Sequence, residues 1–404
     1  MKKLVMAAAV LGAFAGGAQA QTSVTLYGIA DGDVRFDHTN IGTLKSVGSG
    51  GESGSRWGMR GTEDLGGGLK ANFILEQGFD ITDNASPQGD IGRGASGGFG
   101  GSSTAPHTST GSRIFSRVAT VGLAGGFGEF RFGRGYNPLF LVYATADPFG
   151  AGLVGQAGNV FTNNTIRNDN AVYYDTPRFA GLQASGVYQF GESTTNNTVN
   201  APPFGQAKRG NDRYGAGLTY ANGPIYAGVG YEQIKSNLDT FRVRTWDAAA
   251  TYDFGVVKLH AIYWRTKNGN PNTNPAAGFG GTTALNENAY FAGVTVPFGA
   301  WTFLGGYGRV RDKSTSNIAA VNLGTPRANF FGTAVRYSLS KRTILYTSYG
   351  RFNLKNGPNG NPFQGFSGIA DASNSGLYTG ANLNGPSGSN VNPYSYQFGV
   401  RHSF

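Results

Sequence analysis

The way this chain connects its segments constrains its fold more than any single motif. Segments rich in β-branched and aromatic residues recur along its length, and the links between them alternate between tight turns and long polar loops. The tight links centre on Asp64-Leu65-Gly66-Gly67, Gly125-Gly126, Pro177-Arg178-Phe179, Asn222-Gly223-Pro224, Phe254-Gly255, Pro297-Phe298-Gly299 and Ser340-Lys341-Arg342. Most carry the Gly, Pro or Asn that a short turn demands. The long links are Asp37–Gly54, Asp80–Ile114, Arg134–Asn170, Gly191–Asp212, Lys235–Phe241, Lys267–Asn288, Arg311–Ala328 and Leu354–Pro393, most of them crowded with Gly, Asn, Ser, Thr and Pro. One end of the molecule thus has turns and the other has loops. A soluble sandwich or propeller gives no reason for such regularity, whereas a transmembrane barrel has short periplasmic turns and longer extracellular loops.

The pattern predicts sixteen strands: Ser23–Phe36, Ser55–Gly61, Leu69–Phe79, Phe115–Leu123, Gly128–Gly133, Ala171–Tyr174, Leu182–Phe190, Arg213–Tyr220, Ile225–Ile234, Arg242–Asp253, Val256–Thr266, Ala289–Val296, Trp301–Val310, Asn329–Ser338, Thr343–Asn353 and Tyr394–Phe404. Their faces agree with a membrane wall. In the last segment Tyr394, Tyr396, Phe398, Val400, His402 and Phe404 share one side, while Ser395, Gln397, Gly399, Arg401 and Ser403 share the other. Because lipid offers no partner to a free N–H or C=O, such strands must close on themselves. The fold class expected is therefore an all-β, antiparallel, transmembrane barrel. No linker or change of composition divides residues 21–404, which read as one domain.

Residues 1–20 are expected to be a signal peptide rather than part of the barrel. Lys2 and Lys3 precede an apolar or small stretch from Leu4 to Gly17, and Ala18-Gln19-Ala20 has the form of a cleavage site. No later run approaches the roughly eighteen apolar residues of a membrane helix, and the mean hydropathy is −0.27. Composition fits the same class: 66 glycines and 13% aromatic residues accompany only 14% charged ones. Cys is absent, which removes disulfides, thiolate metal sites and cysteine nucleophiles.

Several motifs then carry a family resemblance. Thr25-Leu26-Tyr27-Gly28, the run Ser55-Arg56-Trp57-Gly58-Met59-Arg60-Gly61-Thr62-Glu63-Asp64-Leu65-Gly66, and Phe115-Ser116-Arg117 leading into Val121-Gly122-Leu123 resemble general bacterial porins. Ser338-Leu339-Ser340-Lys341-Arg342-Thr343 and the terminal Gly399-Val400-Arg401-His402-Ser403-Phe404 extend the match. The chain looks most like the trimeric, sixteen-stranded outer-membrane porins of beta-proteobacteria. That resemblance implies passive diffusion of small hydrophilic solutes and ions through a water-filled barrel in the outer membrane. It also implies a homotrimer, a third long loop folded into the lumen, and a terminal Phe404 read by the outer-membrane assembly machinery. Outer-membrane lipid and lipopolysaccharide are the surroundings such a barrel would meet.

Candidate site residues are basic. Arg is 22 of the 33 basic residues, and a guanidinium is an always-charged planar donor suited to carboxylate and phosphate. Arg56 and Arg60 share the side opposite Trp57 and Met59, and Arg131 lies opposite Phe130 and Phe132, so all three are expected in the lumen. A charge on the lipid face at mid-depth would cost roughly 2–4 kcal/mol. Arg117 shares parity with Ala119, Val121 and Leu123, which asks for a bulge, a strand end or a subunit interface. By resemblance, Arg56, Arg117 and Arg167 match the basic constriction of an anion-selective member of the family. The expected constriction loop, Gly135–Asp169, holds two acids, Asp147 and Asp169, too few to offset the arginines. Asp147 either anchors or lines the eyelet or serves as a turn or cap residue. Weak anion selectivity follows.

Other functions find less support. A substrate-specific channel for small organic anions or phosphate would use the same arginines, and an adhesin or receptor barrel with a blocked lumen would share the strands. Gly94-Ala95-Ser96-Gly97-Gly98 has the letters of a nucleophile elbow, but it sits in a Gly/Ser-rich loop without the strand and helix that chemistry needs. His38, His107, His260 and His402 are too scattered for a dedicated metal site. Basic residues are dispersed rather than clustered as a nucleic-acid patch. Neither a cofactor nor an enzymatic activity is expected.

Overall fold

The computed structural model describes residues 23–39, 42–82, 114–161, 165–191, 212–235, 242–268, 283–284, 286–313, 315–316, 327–355 and 392–404. The expected leader, the Gly94–Gly98 motif and His107 lie outside the described residues. The described residues form a closed antiparallel barrel of sixteen strands. In chain order they are β1 Ser23–Thr39, β2 in two pieces Gly42–Ser49 and Arg56–Gly66, β3 Leu69–Gly78, β4 Val118–Gly125, β5 Gly128–Tyr136, β6 Arg167–Asp175, β7 Leu182–Gln189 and β8 Arg213–Asn222. They continue as β9 Ile225–Lys235, β10 Arg242–Asp253, β11 Lys258–Asn268, β12 Asn286–Phe298, β13 Trp301–Asp312, β14 Arg327–Ser338, β15 Thr343–Lys355 and β16 Tyr394–Ser403. A two-residue ladder, Thr283–Ala284 with Thr315–Ser316, joins the segments beyond β11 and β13.

Closure is made by β1, which pairs with β16 from Ile29↔Ser403 to His38↔Tyr394 and with both pieces of β2. Gly28 and Phe404 complete the seam by exchanging backbone hydrogen bonds, each 3.0 Å. Among the described residues the barrel sheet has no free edge, so its strands find their partners without water.

The packing is inverted relative to a soluble domain. Leu26, Val121, Val229, Leu259, Tyr290, Phe303, Phe398 and Val400 are exposed on the outside, while Asp31, Glu76, Glu232, Asp247, Glu287 and Gln397 are buried on the inside. Aromatic pairs mark the two ends of the apolar band. Tyr252 meets Phe254 and Trp301 meets Tyr337, both at 4.5 Å, toward the turns. Tyr188–Tyr214 at 5.1 Å and Tyr263–Tyr290 at 5.2 Å lie toward the loops.

The first long link differs from expectation. Asp37–Gly54 continues the ladder through Gly42–Ser49, and Gly50–Ser55 leaves it. That short segment turns into the lumen because Asp31 holds it: Gly50 N–H donates to the Asp31 carbonyl at 2.7 Å, and Glu52 and Ser53 N–H donate to its Oδ2 at 3.0 and 2.6 Å. Glu52 is buried there.

Between β5 and β6 the chain folds inward, carrying α1 (Pro138–Ala146) and a single 3-10 turn, Ala157–Val160. Asn137 starts α1 by accepting from Leu139 N–H at 2.8 Å, and Pro138 occupies the first turn where its missing N–H costs nothing. Leu139, Tyr143, Phe149, Leu153 and Phe161 are fully buried against Ile262, Trp264, Phe291, Leu304, Phe330 and Phe352 of the opposite wall. Burying five such side chains contributes on the order of 10 kcal/mol, against about 1 kcal/mol for the cap. The loop is therefore held by its apolar side, and that side covers β10–β15.

Candidate functional site

The inner wall of β2–β6 supplies no residue to the apolar cluster that fixes the loop, and its polar side chains gather there instead. Arg56 opens the second piece of β2. Arg117 stands one residue before β4, and Arg167 is the first residue of β6. Their side chains converge on Tyr136, the last residue of β5: Arg117 Nη2 donates to the Tyr136 hydroxyl at 3.1 Å and Arg167 Nη2 at 3.4 Å. The Arg167 guanidinium also lies over the Tyr136 ring, 4.8 Å from its centre. On its other face Tyr136 stacks on Phe140 of α1 at 5.5 Å, so the inward loop props the cluster.

Glu76 ties two of these arginines together. Glu76 of β3 accepts from Arg117 Nε at 2.8 Å and lies 3.8 Å from Arg56 Nη1, while Tyr27 O–H donates to its other oxygen at 3.1 Å. Arg56 also donates to the Ser53 hydroxyl in the inward segment. Two guanidinium groups thus meet Glu76, and the third, that of Arg167, joins them through the Tyr136 hydroxyl.

Backbone geometry brings β5 to this point. The register shifts between Gly133 and Gly135, and Gly133 has φ 122°. A Cβ at Gly133 would lie 2.1 Å from the Ala119 carbonyl oxygen, so no other residue fits. The bulge swings Tyr136 toward Arg117, and Tyr173 locks it by bonding both the N–H and the carbonyl of Gly135 at 2.9 Å.

The remaining candidates lie apart from the cluster. Arg60 and Arg131 face inward as their parity predicts, but nearer the turns, where they line a pocket of about 220 Å³ with Thr62, Asn72 and Glu129. Arg60 lies over the Tyr27 ring at 5.6 Å. Arg131 is paired with Asp175 and sits 3.6 Å from Glu129, so its charge is spent locally. Arg117 owes its awkward parity to a strand end, since β4 begins at Val118.

Of the two acids expected on the constriction loop, Asp147 lies on it and Asp169 does not. Asp169 belongs to β6 rather than to the loop and lies 3.7 Å from Arg134. Asp147 is buried at the end of α1 and lines no passage. Its Oδ1 accepts from Phe149 N–H at 3.1 Å, and its Oδ2 accepts from Ala151 and Ala157 N–H at 3.0 and 3.1 Å. Burial pushes its carboxyl up from 3.8 to about 6 despite those three donors, which favour the charged form. It is the turn and cap residue that ties α1 to the 3-10 turn.

Further inner-wall residues secure the inward loop and the Gly50–Ser55 segment. Arg336 Nε meets Glu52 at 2.6 Å and Arg401 meets the same oxygen at 3.3 Å. Val154 N–H donates to Gln397 at 3.3 Å, and Asn137 Nδ2 donates to Glu232 at 2.8 Å, fixing the loop at both ends. Glu76 was readable in principle, because Phe73 and Leu75 alternate with Asn72, Ile74 and Glu76. Tyr136 carried no such signal, since its position depends on the bulge.

A closed barrel, an inverted polarity and a loop pinned across the lumen match one family model, described as Gram-negative porin, over residues 7–357. The chain belongs to the Gram-negative porins. An outer membrane porin of Bordetella pertussis is 34% identical over 87% of this chain and 94% of its own. Outer membrane porin protein 32 of Delftia acidovorans is 32% identical over the full length of both. The structure of an anion-selective porin from Comamonas acidovorans superposes with a TM-score of 0.68 at 26% identity, covering 95% of this chain and 100% of that one. This porin is accordingly an outer-membrane channel for the passive diffusion of small hydrophilic solutes. Its strands cross the membrane and its inward loop packs inside the barrel.

Proposed function

We propose that this porin favours anions, that the narrow zone is bounded by Arg56, Arg117 and Arg167 on one side and the inward loop on the other, and that the working unit is a homotrimer without enzymatic activity. The observation that carries the reading is the gathering of Arg56, Arg117 and Arg167 at Glu76 and Tyr136, facing a loop whose own acid, Asp147, is buried. A passing anion would meet excess positive charge on the wall and no compensating acid on the loop, and basic linings select anions. The Comamonas relative, described as anion-selective, supports the same preference.

Recording single channels in a planar bilayer under a potassium chloride gradient tests this directly. The reading expects open-channel conductance and a reversal potential on the chloride side of zero. A cation-side reversal would remove the selectivity, and an absence of conductance would favour a blocked receptor barrel.

A further inference from the structure

The Gly50–Ser55 segment, which leaves the β2 ladder to enter the lumen, lies between the tip of the inward loop and the basic wall and touches both. At one side it meets the loop. Glu52 is clamped by Arg336 of β14 and Arg401 of β16, and Arg336 also donates to the Phe149 carbonyl at 3.5 Å. Gly152 of the loop sits so close that a Cβ there would overlap the Glu52 carbonyl oxygen. At the other side the segment meets the arginines. Arg56 donates to the Ser53 hydroxyl, and a Cβ on Gly54 would come within 3.0 Å of Arg117 Nη1.

The middle of this segment hangs on one side chain. Glu52 and Ser53 N–H both donate to Asp31 Oδ2, and the Tyr346 hydroxyl donates to Asp31 Oδ1. Asp31 is 1% exposed, so water hardly competes for these charge-assisted bonds. The flanks are held differently, by the main chain of Asp31: its carbonyl accepts from Gly50 N–H and from the Ser55 hydroxyl, and its N–H donates to Ser55 Oγ at 3.1 Å. A change of the Asp31 side chain therefore frees Glu52 and Ser53 while both ends of the segment stay anchored.

Arg56 needs such a hold. Its guanidinium lies 3.8 Å from Glu76, beyond hydrogen-bond reach, so among the described residues the Ser53 hydroxyl is the group it donates to. A long side chain with several rotatable bonds keeps one place only when its head group is tied. Arg117 and Arg167 have the Tyr136 hydroxyl for that purpose, and Arg56 has the segment.

We propose that Gly50–Ser55 is a strut between the inward loop and the basic wall, and that Asp31 is the positioning residue that sets Arg56 through it. Ion selectivity thereby depends on a buried side chain that no passing ion touches. The sign of the effect rests on the anion-preferring reading given above, whereas the coupling between Asp31 and Arg56 does not.

The test measures reversal potentials of the folded whole porin in a planar bilayer under a dilute potassium chloride gradient. Asp31→Asn keeps an oxygen for the two N–H groups and removes the charge, while Asp31→Ala removes both, so comparing them separates position from charge. Asp31→Ala should show an anion-to-cation ratio about twofold below that of Asp31→Asn, because a guanidinium shifted by a few ångströms keeps its charge but loses part of its hold on the passage. On an Arg56→Gln background the two should be equal, since residues that act through one another are not additive. Ser53→Ala and Gly152→Ala alter no charge and should each lower the ratio too, which keeps the test open if Asp31→Ala does not assemble. Equal potentials for Asp31→Asn and Asp31→Ala would overturn the proposal, as would a difference that persists without Arg56, or unchanged potentials in both Ser53→Ala and Gly152→Ala. A cation-side reversal in the unaltered porin with the coupling intact would remove the anion preference and leave the strut standing.

Discussion

Arg117 Nε and Glu76 Oε1 are 2.8 Å apart on the inner wall of the barrel, although their residues lie 41 positions apart in the chain. This carboxylate also faces Arg56 at 3.8 Å, so it both positions the basic cluster and subtracts from its charge.

Replacing it should separate those two roles. Glu76→Gln keeps an oxygen for Arg117 and removes the negative charge. The anion-to-cation permeability ratio should rise, and the barrel should remain assembled, because the amide oxygen still accepts from Arg117 and the ladders on both sides of β3 are untouched. A reversal potential shifted toward cations would contradict this assignment.

At the seam, a Cβ on Gly28 would lie 2.2 Å from the Phe404 ring. Gly28→Val should therefore disturb closure by forcing the ring away. Phe404→Ser should lower the amount of folded barrel in the membrane more than it changes the conductance of the barrels that do assemble. Quantifying heat-modifiable protein in outer-membrane fractions checks both, and normal levels of each variant would refute the role given to this contact.

Acidification should favour the inward loop's anchor. Asp147 has a folded-state pKa near 6 against an ordinary value of 3.8. The native state thus binds its proton more tightly than the unfolded chain, and ∂ΔG/∂pH is negative between these values. The cost of burying the charge is present at neutral pH and falls as pH drops from about 6 to about 4, on the order of 1–3 kcal/mol. Amide exchange at Phe149, Ala151 and Ala157 should slow over that window, and Asp147→Asn should abolish the trend while loosening the loop at all pH values.

A homotrimer should migrate in unheated detergent gels near three times the monomer mass, which is at most the 42.4 kDa of the full chain. It should collapse to the monomer position on boiling. A monodisperse monomer in mild detergent would exclude that assembly.

How much of this was legible beforehand varies with the range of the interaction. Alternation along β16 exposes its lipid face directly, and the opposition of Arg56 and Arg60 to Trp57 and Met59 places both arginines inside, because strand parity is a local property. The start of β6 was hidden, since Asn168-Asp169-Asn170 has no alternation and Asn170 takes φ 48°. Helix α1 was hidden for another reason. Its Pro138–Ala146 run is apolar around much of its circumference, so it shows little amphipathic period, and tertiary burial rather than a helical stripe holds it. The gathering of Arg56, Arg117 and Arg167 depends on a bulge, a strand end and a loop root meeting in space, which no spacing in one sequence encodes.

The most direct test is the reversal potential of Arg56→Gln, Arg167→Gln and the double variant under a salt gradient at low ionic strength. The Debye length is about 30 Å at 0.01 M and 8 Å at 0.15 M, so wall charges act across the passage with little screening in dilute salt. Removing one guanidinium at an effective interaction of about 1 kcal/mol should lower the anion-to-cation ratio by roughly fivefold. The double variant should lose more than either single one, and the effect should shrink as salt is raised. Unchanged reversal potentials in all three folded variants would contradict the assignment of selectivity to the cluster around Tyr136.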